Sequence, residues 1–163
     1  VIDQPVPVTK DVVNKDVAYA VVKLMEGVTS SGTGARLKYG GGGFIQYDYS
    51  FGNPIAGKTG TTQSNSDGWF MGVTKDLVCA TWVGCDSRKV RFRSTNYGQG
   101  AHSALPIFAH FINKARADKE LGIRLDPIDR PQQEISFEFD CSQYFEEKDT
   151  EEYGQPSDSP LGI

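Results

Sequence analysis

Val17, Ala18, Val21, Leu24, Met25 and Val28 recur at the spacing of one helix face. Asn14 stands where an N-cap belongs, which predicts a helix over about 14–27. A second stripe, Ala104, Leu105, Phe108, Phe111, Ile112 and Ala115, predicts a helix over about 103–116. Pro106 falls in its first turn, where a missing N–H is tolerated. Between the stripes the period changes to two. Ile55 to Thr62 reads as an edge strand, Trp69 to Val73 as a second and Leu77 to Cys85 as a third. Asn65-Ser66-Asp67-Gly68 and Thr74-Lys75-Asp76 separate them as turns, with Asp67 anchoring the first through its side chain. Strands joined this closely form an antiparallel meander. The third is apolar on both faces, which predicts a sheet covered on both sides, with Trp69, Phe70 and Trp82 in the core. The order helix, strands, helix predicts an α+β fold, an antiparallel sheet with helices packed on it.

The remaining segments are less patterned. Val1 to Thr9 is extended and punctuated by proline, and Thr29 to Gly43 is a connection of small residues. Ile135, Phe137, Phe139 and Cys141 alternate with polar residues as a further strand would. From Glu146 the chain is acidic and then rich in Ser, Pro and Gly, the composition of a disordered tail. At 163 residues, 11% of them aromatic, the chain suits one packed domain. A net charge of −4 gives no reason to expect nucleic-acid binding. The basic run Arg88, Lys89, Arg91 and Arg93 interleaves with Val90 and Phe92, as in a half-exposed strand or hairpin. Cys79 and Cys85 fall on one predicted strand, about 20 Å apart at ~3.3 Å per residue, too far to bridge. Together with Cys141 they read as buried free thiols. His102 and His110 have no acid or cysteine partner nearby in sequence. No metal and no cofactor is expected.

Chemistry concentrates in residues 52–72, which parse in two incompatible ways. From Gly52 to Thr59 the residues fit G-x-x-x-x-G-K-T, the phosphate loop of nucleotide hydrolases. From Lys58 they give K-T-G-T-T followed by Asp67-Gly68-Trp69-Phe70, like the third motif of penicillin-reactive serine acyl-transferases. A phosphate loop needs a buried strand before it and a helix after it. Gln46 to Phe51 is too polar for the former, and Gly60 to Gly68 is poor in helix formers. Leu77 to Gly84, ending near Asp86, resembles a Mg²⁺-binding strand end, but no crossover helix fits between Thr59 and Leu77. As an edge strand, the same residues place Thr59 and Thr61 on one side of the backbone, and Gly57 and Gly60 let a ligand approach.

An ordered series of pieces supports the second parse. Asp16-Val17-Ala18-Tyr19, Gly32-Thr33-Gly34, Ala56 to Thr62, Asp67 to Gly72, Trp82 to Asp86, Gly98-Gln99-Gly100-Ala101 and Ala104 to Phe108 follow one another from about Asp11 to Ala115. In this the chain resembles the C-terminal part of the transpeptidase domain of class A, bifunctional penicillin-binding proteins, relatives of the serine β-lactamases. The resemblance assigns 1–116 to that domain, leaving 117–145 as an extension and 146–163 as the tail. It implies acyl transfer between peptidoglycan stem peptides, with β-lactams as the other ligands. Lys58 would supply positive charge and help move protons. The backbone N–H of Thr61 would donate to the oxyanion. Thr59, Gly60, Thr61 and Thr62 would form the substrate-binding strand, the Thr59 and Thr61 hydroxyls meeting the substrate carboxylate.

The family's nucleophile lies in S-x-x-K, and no serine here has lysine at the third place after it. Ser94-Thr95-Asn96 fits the family's S-x-N but falls after K-T-G, a coincidence of composition. The chain begins at Val1 without a signal peptide or apolar anchor. The expectation is a fragment whose upstream partner half carries the nucleophile and any membrane anchor. Its implied location is the extracytoplasmic face of a bacterial membrane. A non-catalytic binding or scaffold domain is the third alternative.

Overall fold

The computed structural model describes residues 10–42, 45, 46, 49–132, 135 and 139. The elements run α1 (Lys15–Ser30), α2 (Arg36–Tyr39), β1 (Gly41–Gly42), β2 (Ile45–Gln46), β3 (Ala56–Thr61), a 3₁₀ turn (Gln63–Asn65), β4 (Gly68–Val73), β5 (Val78–Val83), α3 (Thr95–Gly98) and α4 (Gly100–Ala117). The architecture is α+β. An antiparallel meander in the order β3-β4-β5 carries helices against it, and β1 and β2 form a separate small hairpin. Asn14 is the N-cap residue of α1 by position, although its side chain makes no cap hydrogen bond.

Register explains the core. Thr59 stands opposite Phe70, and Phe70 opposite Thr81, so these three share a face. That face receives α4, whose Ala104, Leu105, Phe108, Ala109 and Ile112 are fully buried. The rings of Phe70 and Phe108 lie 5.0 Å apart. Leu37, Tyr49, Phe51, Ile55 and Leu125 complete the buried cluster. A Cβ on Gly72 would run into the Phe108 ring, so the helix approaches the sheet only because residue 72 has no side chain. The same holds where α4 begins: a Cβ on Gly100 would overlap the carbonyl oxygens of Gly60 and Trp69.

Apart from Ala56, buried at the start of β3, the opposite face is open, contrary to the expectation of a sheet covered on both sides. β5 alternates between half-buried and exposed along its whole length. Trp69 is 42% exposed and Trp82 45%, so neither is a core residue, whereas Phe70 is. The two indoles form a cross-strand pair with centroids 6.1 Å apart. The α1 stripe is likewise only partly packed. Val21 and Leu24 are exposed, and the buried residues of α1 are Glu26 and Thr29 near its C-terminal end. This helix meets the sheet by that end: Thr29 Oγ1 donates to the Ile55 carbonyl at 2.5 Å, just before β3.

Residues 86–93 form exposed bends and a turn rather than a strand; the Phe92 N–H donates to the Asn65 carbonyl at 3.2 Å, and no ladder forms there among the described residues. Cys85 lies beyond the end of β5 and is exposed, so the two cysteines of this region do not share a strand. After α4 the chain folds back on the core. Asn53 Nδ2 donates to the Leu125 carbonyl at 2.6 Å, Arg124 N–H to Asp76 Oδ2 at 3.0 Å, and Lys75 pairs with Asp129 at 2.8 Å. Of the alternating run near 135–141, Ile135 and Phe139 have no regular structure and the rest lies outside the described residues, as do Val1 to Thr9 and the acidic tail.

Candidate active-site strand

The Gly52–Thr59 run is irregular chain with a bend at Asn53 that enters β3 at Ala56, and Lys58 and Thr59 are strand residues. A phosphate loop presents its lysine and threonine at a helix N-terminus. No helix begins there, so the nucleotide-hydrolase parse fails on geometry.

β3 is an edge of the meander among the described residues. In an antiparallel pair, successive N–H groups point alternately toward the partner strand and away from it. The Thr62 N–H donates to the Asp67 carbonyl across the β3–β4 turn at 3.0 Å. The Thr61 N–H therefore faces the free edge of the meander.

Side chains alternate as well. Thr59 and Thr61 project toward the α4 face, and Lys58 toward the open face opposite Met71. Lys58 is exposed, and its Nζ donates to the Thr59 carbonyl at 2.7 Å. The Thr61 hydroxyl accepts from the Gly100 N–H at 3.0 Å, which pins the first residue of the 18-residue helix α4 under the strand. That helix end carries the positive pole of its dipole. The Thr59 hydroxyl shares a hydrogen bond of 2.7 Å with Thr33 Oγ1. Both threonines already hold one partner and keep capacity for a second. Lys58, Thr59, Gly60 and Thr61 thus share one strand edge, while the Thr62 hydroxyl turns inward to the β3–β4 turn.

Asp67 organises that turn. Its carboxylate accepts from Thr62 Oγ1 at 2.9 Å, Ser66 Oγ at 2.9 Å and Trp82 Nε1 at 3.1 Å, and its N–H donates to Thr62 Oγ1 at 2.9 Å. The bonds from Ser66, Thr62 and Trp82 hold the carboxyl below its ordinary value of 3.8, with a smaller contribution in the same direction from Arg88. A depressed folded pKa means that the stabilisation is complete above 3.8 and is lost as pH falls through the lower, folded value. Asp67→Asn should therefore flatten the acid limb of stability against pH. Urea unfolding at pH 7 and pH 3 checks this: parallel losses in the two proteins would show that the carboxylate contributes nothing.

Ser94-Thr95-Asn96 opens the one-turn helix α3, remote in sequence from β3 and with Thr95 and Asn96 exposed. His102 contacts the Asn96 carbonyl and Gln99, while the His110 ring packs edge-on against Tyr49 at 5.6 Å. No cluster of metal-ligating side chains occurs among the described residues. No helix among them is long and apolar enough to cross a membrane. Sequence reasoning missed Thr33 as a partner of the strand, since its contact with Thr59 spans 26 residues and no local pattern encodes it.

No model of a known protein family matches the chain. Individual proteins do. Over 138 residues it is 31% identical to penicillin-binding protein 1A of Pseudomonas aeruginosa, covering 77% of the chain and 15% of that protein. Over 101 residues it is 33% identical to penicillin-binding protein 1A of Rickettsia typhi, covering 62% of the chain and 11% of that protein. Over 103 residues it is 36% identical to penicillin-binding protein 1A of Neisseria gonorrhoeae, covering 63% of the chain and 11% of that protein. The chain thus spans at most 15% of the length of these curated relatives. At that similarity to the Pseudomonas protein over more than two thirds of its own length, the chain belongs to the class A penicillin-binding protein family.

Proposed function

We propose that this chain supplies the K-T-G wall of a peptidoglycan D,D-transpeptidase, which cross-links stem peptides by serine acyl transfer at the outer face of a bacterial membrane. The observation that carries this is the free edge of β3, where the Thr61 N–H points outward beside Lys58, Thr59 and Gly60. A substrate backbone laid along that edge pairs as an added strand. Its reacting carbonyl receives the Thr61 N–H as charge develops on oxygen. The Thr59 and Thr61 hydroxyls donate to its terminal carboxylate, favoured by the Lys58 charge and the positive end of α4. Lys58 also assists proton transfer at the nucleophile. The serine comes from another segment, since no serine here has the lysine spacing that activates it.

This division of labour predicts silence in isolation. Incubated with a fluorescent penicillin, the 163-residue chain should give no labelled band, and the longer protein bearing S-x-x-K should give one. A stable acyl adduct on any serine of the chain would place the nucleophile here and overturn the assignment. A longer protein that never labels would support a scaffold domain instead.

A further inference from the structure

Thr33 occupies a turn that is built with unusual closeness. Gly32 and Gly34 both donate back to α1, to the Gly27 carbonyl at 3.1 Å and the Val28 carbonyl at 2.9 Å. A Cβ on Gly32 would lie 2.9 Å from Val28 Cα, and one on Gly34 3.2 Å from the Val28 carbonyl oxygen. Glycine on each side therefore lets the turn fold flat onto the helix end. Beyond it, Ala35 N–H donates to the Gly32 carbonyl and Leu37 N–H to the Gly34 carbonyl, and Leu37 is anchored in the core. Before it, Thr29 ties α1 to Ile55 at the entry to β3. The turn is thus fixed to the strand entry on one side and to the core on the other, and Thr33, exposed within it, places a hydroxyl 2.7 Å from that of Thr59.

We infer that Thr33 is a positioning residue for the substrate carboxylate, acting through Thr59; the inference rests on the transpeptidase reading above. A hydroxyl has one proton and two acceptor sites. When Thr33 donates to Thr59 Oγ1, that oxygen's own proton is directed away from Thr33 toward the free edge. Thr59 then meets an anion as a donor with its rotor already set. Without the Thr33 hydroxyl, the Thr59 proton samples several directions, and binding a carboxylate must order it. A donor aligned in advance is favoured over one that must be ordered on binding. Lys58 supplies charge without direction, so Thr33 contributes orientation rather than field.

The test uses the longer, serine-bearing protein and two probes, a penicillin and the same penicillin with its carboxylate masked as a methyl ester. Thr33→Val, which keeps the shape and removes the hydroxyl, should lower acylation efficiency toward the free acid roughly fivefold, the effect of one neutral hydrogen bond. The change should fall in the binding constant and leave the limiting acylation rate unmoved. Thr33→Ser should restore it, and the ester should react alike with all three proteins. Equal slowing of acid and ester would mean a merely structural role and overturn the inference, as would an unchanged rate for Thr33→Val. Failure of the unsubstituted protein to label with either probe would instead overturn the transpeptidase reading, and this inference with it.

Discussion

Lys58→Ala in the longer protein should slow labelling by a fluorescent penicillin by about 10²- to 10⁴-fold, the span associated with losing a positioned proton-transfer group. Lys58 is exposed, and among the described residues its ammonium donates to the adjacent Thr59 carbonyl, so the fold does not depend on its side chain. The unfolding midpoint should stay within error while the acylation rate collapses. Thr61→Val is the instructive comparison. It keeps the N–H at the free edge and removes the hydroxyl that accepts from Gly100, so it should slow acylation less and also lower stability. Labelling of Lys58→Ala at the unsubstituted rate would show that the K-T-G strand does not work as proposed.

The second large effect is on stability. Phe108→Ala should cost about 3–5 kcal/mol, the range for truncating a buried aromatic. Against a total of about 5–15 kcal/mol for an ordinary domain, that brings the chain near unfolding. Phe108 is fully buried, faces Phe70 at 5.0 Å and fills the space over Gly72. Its loss leaves a void that neither strand can close, because β4 is held on both sides by hydrogen-bonded neighbours. Gly72→Ala should destabilise on its own by overpacking, and do so much less in the Phe108→Ala background, where its methyl enters vacated space. Urea unfolding of the two single variants and the double variant measures both; additive losses would show that residues 72 and 108 do not compete for the same volume.

Much of this was legible in the chain. Asn65-Ser66-Asp67-Gly68 and Thr74-Lys75-Asp76 separate the strands because turns demand residues that strands avoid, and the meander follows. The α4 stripe was readable because a helix buried along one face must repeat at 3.6 residues, although Phe111 on that stripe is half exposed. Asp67 announced itself as a turn anchor, and its hydrogen bonds agree. What failed was inference from apolarity to burial. Val78, Trp82 and Leu24 are apolar and exposed, since composition tells what a residue favours and not what stands opposite it. Glycines misled in the other direction: α1 runs through Gly27 to Ser30, and α4 starts at Gly100 rather than at Ser103, because packing against the sheet overrides weak helix propensity. Two single-turn helices and the β1–β2 hairpin are too short for any periodicity to register. At the strand, the residue types were readable, but the pairing of Thr33 with Thr59 was not.

The indole pair on the open face has a spectroscopic consequence. The chain has two tryptophans, and both stand in the one cross-strand contact of Trp69 with Trp82. Excited at the red edge, where its seven tyrosines do not absorb, the chain's fluorescence therefore reports on a single place, the half-wet patch on the Lys58 side of the sheet. Emission from partly hydrated indoles lies to the red of emission from dry ones. Anything that covers that patch registers as a blue shift, and anything confined to the α4 face leaves the spectrum still. Nε1 of Trp82 is also tied to Asp67, the residue that locks the turn after Thr61. The protein thus carries a built-in optical gauge beside its proposed working strand, requiring no label and disturbing none of the residues discussed.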